Sequence, residues 1–302
     1  MDEIAVGAVV FQREKKAADL LNSIDGNNLI DTVYIADNGE MTGYKREIYS
    51  REYTFGLEVL DLPYDSGLGH GRREIVEHSE ESYLLIVDSD VEIPHNIGQL
   101  QTILQHRSEL GGVGGVLIEG GRIRSDCYDL FERGQLLVKD IRSPKQVQKI
   151  GGLPFVEFEQ IQNVAMYRRE CLTDYCWDPE YKIGWEHTDF FLGHQRRTDW
   201  SFGVCPEVMF RHYPGGDEQY HSKRQSQKRI RQSKQYFLNK WGFKQVMNGE
   251  TRWLGTQHRT PGIKDEIVAI IKEGILQLSP FLQVWVMNSR DYVRKLRGKP
   301  PA

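Results

Sequence analysis

The first ninety residues read as alternating blocks of continuous and stripe-like hydrophobicity. Residues 4–11 (IAVGAVVF) are apolar without a break, the pattern of a strand covered on both faces. In residues 16–24, Ala17, Leu20, Leu21 and Ile24 fall on one helical stripe. Residues 31–36 (DTVYIA) predict a second strand, ended by Asp37-Asn38-Gly39. A polar helix over 43–52, a strand over 57–62, a glycine-opened helix over 68–78 and an apolar strand over 82–87 follow. This alternation is the signature of βαβ units on a parallel sheet. Ligands of such sheets sit at the carboxyl ends of the strands, where Asp37 and Asp88 fall.

Further along, the spacing predicts a helix over 95–108 and a glycine-rich strand over 111–118. Strand-like pieces between 135 and 165 suggest antiparallel pairing. A helix starts near Trp185, a short strand covers 200–207, and Arg211 to Gly216 reads as a turn. Residues 221–241 predict a basic helix. Residues 264–278 predict an amphipathic one, with Ile267, Ile271, Ile275 and Leu278 on one face. No internal repeat is present. The expected division is a catalytic domain over 1–215 and a basic helical C-terminal extension over 216–302.

Composition narrows the class. The chain has 302 residues, 39% of them hydrophobic and 27% charged, which describes a globular protein. Four scattered cysteines (Cys127, Cys171, Cys176, Cys205) form no CxxC pair and fit reduced thiols in a cytoplasmic protein. The N-terminus lacks a basic region and cleavage site, so it reads as a strand rather than a signal peptide. No apolar run reaches the ~18 residues of a membrane span. The run from Ile267 to Met287 is broken by Lys272, Glu273 and Pro280. Charge is asymmetric: from Tyr220 onward there are 17 Lys and Arg against 5 Asp and Glu, a balance of +12, so the rest carries −16 of the total −4. An acidic body disfavours nucleic acid as a partner. A basic tail suits contact with an anionic membrane surface, with the chain peripheral at its cytoplasmic face.

Five constellations carry chemistry. Asp88-Ser89-Asp90 follows an apolar strand, and in extended chain residues i and i+2 project to one side, so two carboxylates converge where Mg²⁺ or Mn²⁺ can sit. Gly67-Leu68-Gly69-His70-Gly71-Arg72-Arg73 lets backbone approach a ligand and opens a helix whose positive end attracts anions. Arg72 or Arg73 can reach a diphosphate there. Asp37 with Asn38 can accept the imide N–H of a uracil ring. In Gly184-Trp185-Glu186-His187-Thr188-Asp189-Phe190, Glu186 and Asp189 share one side of a first helical turn, where a carboxylate can deprotonate a hydroxyl. Trp185 and Phe190 offer a stacking wall for an acceptor sugar. His212 offers a nitrogen to the same cation, which favours Mn²⁺ over Mg²⁺.

In this order, these segments resemble the GT-A glycosyltransferases, particularly the inverting enzymes grouped as family 2. The matching stretches are IAVGAVVFQREK, VYIADNG, DSGLGHGRRE, YLLIVDSDVEIP, NVAMYRREC, GWEHTDFFLGHQRR and PEVMFRHYP, spread over residues 4–215. EHTDFF is also similar to a segment of the β-1,4-N-acetylgalactosaminyltransferases of ganglioside synthesis, a hint of an N-acetylhexosamine donor. The resemblance implies a Rossmann-like, mostly parallel sheet flanked by helices, and a nucleotide-sugar donor, UDP-linked. It implies an acceptor hydroxyl on a glycan or lipid-linked glycan. By it, Asp37 and Asn38 read the base, Gly67, Arg72, Asp88 and Ser89 lie along the donor, and Asp90, Asp88 and His212 hold the metal.

The family places Glu-Asp at the start of the catalytic helix, with the Asp as base. Here His187 stands in that place, which leaves Glu186, His187 and Asp189 as candidates. The carboxylates are favoured because a nearby dication disfavours a protonated histidine. Rival readings are a nucleotide-sugar-binding protein without turnover, a sugar-phosphate nucleotidyltransferase, and an oxidoreductase. The last lacks the glycine fingerprint after its first strand.

Overall fold

A computed structural model describes residues 3–249 and 263–297. The expected amphipathic helix over 264–278 lies within them and is found at Ile263–Leu276, whereas the basic C-terminal extension lies partly outside them. The chain forms two compact units: residues 1–127 with 146–226, and residues 128–145 with 227–302.

In the first unit the elements run β1 (Ile4–Val10), α1 (Glu14–Ile24), β2 (Thr32–Asp37), α2 (Gly43–Tyr49), β3 (Gly56–Asp61), α3 (Leu68–His78), β4 (Tyr83–Asp88), β5 (Val91–Glu92), α4 (Gly98–His106), β6 (Leu110–Glu119) and β7 (Arg122–Arg124). The strands β8 (Asp129–Arg133) and β9 (Leu136–Asp140) belong to the second unit. The first resumes with β10 (Gln148–Ile150), β11 (Leu153–Phe158), β12 (Val164–Arg168), α5 (Arg169–Asp174), α6 (Glu186–Arg197), β13 (Ser201–His212) and α7 (Glu218–Arg224). The second is completed by α8 (Gln227–Trp241), β14 (Gln245–Asn248), α9 (Ile263–Leu276) and α10 (Pro280–Leu296).

The main sheet has the order β10-β11-β13-β6-β12-β4-β1-β2-β3. The edge β4-β1-β2-β3 is parallel throughout, as its βαβ pattern predicts, and β12 inserts antiparallel between β4 and β6. Alternate residues of β1 serve opposite layers. Val6, Ala8 and Val10 join the core that holds Leu20, Leu21 and Ile24 of α1 and Leu100, Ile103 and Leu104 of α4. Gly7 and Val9 face the other way, against α3. A Cβ on Gly7 would come within 2.6 Å of Ile75, so the helix sits directly on that glycine.

Two expectations change. The strand expected to stop at Glu207 continues to His212, because β13 recovers its pairing with β6 at Met209 after an irregularity around Pro206. The basic helix expected over 221–241 is two helices, α7 and α8, with the break at the junction between the units.

The second unit is not wholly helical. β8, β9 and β14 form a three-stranded sheet, with β14 parallel to β9. Leu136, Val138, Met247 and Met287 make its core. A four-residue strand cannot sustain itself alone, and β14 is held by its pairing with β9 and by α10 across its face.

Candidate functional site

The parallel register places Val10 of β1 beside Asp37 and Val9 beside Asp88, so the carboxyl ends of β1, β2 and β4 open side by side. The two acids meet different fates. Asp37 is fully buried. One oxygen accepts from Lys45 Nζ (2.8 Å) and Gly39 N (2.9 Å), the other from Tyr49 OH (2.7 Å). Burial and the neighbouring Asp37 carboxylate raise the Tyr49 phenol, keeping it a donor. With no exposed surface and three donors in place, Asp37 has nothing to offer a uracil ring in this structure. Asn38 is also buried; with its side-chain nitrogen set toward Val10 O (2.9 Å), its oxygen accepts from Gly67 N (2.9 Å).

The glycine-opened start of α3 departs from expectation too. Leu68 N and Gly69 N donate to the carbonyls of Lys182 and Tyr181, each at 3.0 Å. These amides are therefore spent on protein and not on an anion. Gly67 has φ +105°, and a Cβ there would meet Lys182 Cα at 2.4 Å. The glycines serve the close approach of the 178–182 segment.

Arg72 from α3 lies between two acids from distant parts of the chain. Its Nη2 donates to Asp88 Oδ1 (3.2 Å) and its Nη1 to Glu186 Oε1 (3.4 Å), and its guanidinium packs 5.5 Å from the Trp177 ring centre. Arg72 is buried, whereas the Asp88 side chain retains 36% of its exposure. Glu186 is 4% exposed, and its second oxygen, Oε2, is buried without a hydrogen-bond partner among the described residues. A buried carboxylate oxygen left open is energetically costly, and a catalytic role or a bound water, ion or ligand is what accounts for such an atom. Trp185, with φ +73°, starts α6 in the left-handed region and sets Glu186 at the head of the helix.

Asp189 has a different role from the one its spacing suggests. It is fully buried, and its two oxygens accept from Tyr175 OH and Tyr181 OH, each at 3.0 Å. Such a carboxylate holds structure and has no access to a substrate hydroxyl. Phe190 is likewise a core residue: it has no exposed surface and stacks on Trp177 at 4.2 Å. It cannot line an acceptor wall. His187 is half-buried, with Nε2 2.5 Å from Ile161 O. Trp185 is half-buried.

At the third strand end, pairing of β5 with β13 sets His212 opposite Val91, and Tyr213 N donates to Asp90 O (2.8 Å). This brings His212 Nε2 to 3.4 Å from Asp90 Oδ2. The other nitrogen, Nδ1, faces Glu119 Oε2 at 2.7 Å. Burial opposes the charge of Asp90, but His212 and Arg13 outweigh it and hold the carboxyl below its ordinary range. His212 is raised by its bond to Asp90, against the pull of burial, with help from Glu119.

Among the described residues, no group of three or more His, Cys, Asp or Glu forms a ready-made metal shell. The Asp90–His212 pair nonetheless has the donor types and spacing for a divalent ion, which would take the place of the Arg13 guanidinium now paired with the same Asp90 oxygen. Two donors bonded at about 2.1 Å on neighbouring coordination positions stand about 3 Å apart, close to the separation here. Glu119 on the far nitrogen is the carboxylate that orients a ligating histidine. The carboxylate suits Mn²⁺ or Mg²⁺, and the imidazole nitrogen favours Mn²⁺ of the two.

Sequence reasoning missed Arg13. From the loop after β1, its guanidinium pairs with Asp90, donates to Ser89 Oγ (2.8 Å) and lies 4.3 Å from the Tyr220 ring centre. Ser89 is fully buried by this arrangement. A basic residue just beyond the first strand end was the available signal. Arg224 of α7 was also missed. Desolvation works against its charge, and the field of Glu186, Asp88 and Asp90 outweighs it, raising its affinity for its proton.

The chain matches no protein-family model and no curated protein sequence. Solved structures do resemble it. A fragment of S. aureus TarS, residues 1–349, in complex with UDP-GlcNAc is 14% identical with a TM-score of 0.54, covering 78% of this chain and 66% of that one. GalNAc-T7 with UDP, GalNAc and Mn²⁺ is 12% identical with a TM-score of 0.56, covering 90% and 54%. A mannosyltransferase from Pyrobaculum calidifontis with GDP-Man and Mn²⁺ is 12% identical with a TM-score of 0.51, covering 99% and 76%. This chain thus spans about two thirds of the TarS fragment and about half of GalNAc-T7. These likenesses define the class of fold: a GT-A-type α/β architecture with a mostly parallel central sheet flanked by helices.

Proposed function

We propose that the chain is a glycosyltransferase that moves a sugar from a nucleotide-sugar donor, UDP-linked, to a hydroxyl of a glycan or lipid-linked glycan. One observation carries the reading. Glu186 presents a buried, open carboxylate oxygen one guanidinium away from Asp88, at the end of β4. The bound nucleotide sugars of the structurally similar proteins support the donor class.

Within this reading, Asp90, Asp88 and His212 would hold Mn²⁺ or Mg²⁺, which would supply positive charge against that of a leaving nucleoside diphosphate. Glu186 is the base. Its Oε1 is anchored by Arg72, which leaves Oε2 to accept the acceptor's proton as its oxygen attacks the anomeric carbon. Asp189 and His187 position the helix: the first is held by two tyrosines, the second by Ile161 O. Arg13 and Arg224 bring cationic charge to the same acids. Of the two carboxylates on α6, Asp189 has both oxygens bonded to tyrosines and Glu186 keeps one open among the described residues; a single base of this kind favours single displacement and inversion over a covalent intermediate.

The test is UDP release from UDP-sugars with Mn²⁺ and a glycan acceptor. Glu186→Gln should lower turnover about 100-fold or more while thermal shifts still register the donor. Wild-type turnover in that variant would remove Glu186 as base. Pyrophosphate formed from UTP and a sugar phosphate, with no UDP from any donor, would replace the transferase reading with nucleotidyl transfer.

A further inference from the structure

The second unit exposes apolar surface where a water-facing helix would be polar. Eleven of the eighteen large apolar side chains that are exposed among the described residues fall between 267 and 296. They include Ile267, Val268, Ile270 and Ile271 on α9, and the pattern on α10 is sharper. Met287 and Gln283 turn inward, and Met287 joins Leu136, Val138 and Met247 in the unit's core. On the opposite side, an arc of about 120° holds Phe281, Leu282, Trp285, Ser289, Tyr292, Val293 and Leu296. All six apolar members are exposed, Phe281 by 76% and Trp285 by 60%. The one polar member, Ser289, donates its hydroxyl to Trp285 O at 2.9 Å, so it brings no unmet donor to an apolar surrounding. The stripe from 281 to 296 is about 22 Å long. Met287 and Val284 already supply the apolar contacts with the core, so the core does not explain the exposed stripe.

Charge says what fits on it. Lys295 and Arg297, both exposed, flank the stripe on its two sides, Arg290 and Arg294 lie half-buried toward the inward face, and the helix carries one acid, Asp291. That acid is already engaged by Lys234 Nζ (2.8 Å) and Gln245 Nε2 (3.0 Å). A second copy laid parallel on the stripe would oppose cations to cations. Laid antiparallel, it would oppose them to a helix start that carries no acid. An anionic lipid surface satisfies both features, since the aromatic and aliphatic side chains enter the headgroup boundary while the cations meet phosphate. No helix of the described residues is long and apolar enough to cross a membrane. We infer that α10, with α9 beside it in sequence, is an in-plane docking face for anionic membrane.

The inference does not depend on the transferase reading, and the experiment separates the two. The full chain is sedimented with phosphatidylcholine vesicles containing roughly one quarter phosphatidylglycerol, and with pure phosphatidylcholine. Binding should be at least about 10-fold stronger to the anionic vesicles and should fall by about the same factor in F281S/W285S. Circular dichroism checks the fold of that variant. Should it misfold, K295E/R297E, which changes only exposed cations, decides instead by losing the anionic preference. The inference is overturned if the wild-type chain stays in the supernatant with anionic vesicles. It is equally overturned if sedimentation velocity shows a dimer that F281S/W285S dissociates. UDP release with a soluble glycan acceptor, measured in parallel, should be unchanged in F281S/W285S. Vesicle binding without UDP release would sink the transferase alone, and release without binding would sink the docking face alone.

Discussion

The ends of β2 and β4 lie one strand apart in the same sheet, and each finishes in an aspartate. Asp37 is sealed, with an ammonium, a phenol and a backbone amide filling its oxygens. Asp88 is half open, shares Arg72 with a buried glutamate, and stands two residues before an aspartate that faces a histidine. The comparison teaches that an acid at a strand end is not by itself a site. What separates structure from chemistry is whether the protein has already supplied every partner. The same contrast recurs within α6, where Asp189 is closed by two tyrosines and Glu186, one turn earlier, keeps an oxygen open.

The largest expected effect tests the sealed end. Asp37→Ala leaves the Lys45 ammonium buried without its counter-charge and should cost about 3–5 kcal/mol of folding stability, read by urea denaturation. Removing both charges together, as Asp37→Leu with Lys45→Met, should recover most of that loss. If Asp37→Ala unfolds like the wild type while donor binding collapses, the two ends have been assigned the wrong way round.

At the open end the split should invert. Asp88→Asn is expected to reduce turnover about 100-fold, some 2.7 kcal/mol of barrier, because charge at the reacting centre is lost. Stability should move by less than about 1 kcal/mol, since the side chain is partly solvated and its ion pair is weak. A melting shift as large as that of Asp37→Ala would count against this distinction.

The smallest effect calibrates the pH range over which the two ends can be compared. His194 of α6 is held down to about 4 by burial, against an ordinary value of 6.5. The unfolded chain therefore takes up this proton first. Stability is fully present above about pH 6.5 and falls as pH drops toward 4, by about 1–3 kcal/mol after allowance for partial solvation. His194→Gln should flatten that part of a stability-against-pH curve. An unchanged curve would mean that other groups control acid unfolding, and acid loss of activity could then be attributed to the site itself.

Much of the parallel half of the molecule was legible from local pattern. Continuous apolar runs marked β1, β2 and β4, and the stripe Ala17, Leu20, Leu21 and Ile24 became the buried face of α1. Their alternation located the strand ends, because burial on two faces leaves a strand no polar position until it leaves the sheet. Asp88, Asp90, Glu186, His212 and Arg72, read from that order, do gather at adjoining ends. The extent of β13 was hidden, since Arg211 to Gly216 reads locally as a turn and only renewed pairing with β6 carries the strand on to His212. The outward stripe of α10 was hidden too, because an apolar helical face in sequence looks the same whether it meets a core or solvent.

What the sequence alone determined was therefore the repeating architecture and the supply of acids, cations and aromatics at the strand ends. These follow from short-range periodicity and from where polar residues are tolerated. Which acids were consumed as structure and which were left for chemistry was decided only by tertiary contacts. Tyr49 and Lys45 reach Asp37, and Tyr175 and Tyr181 reach Asp189, whereas among the described residues Glu186 receives only Arg72, from 114 positions away. Saturation of a carboxylate depends on donors that folding brings in from a distance, and no local pattern records their arrival.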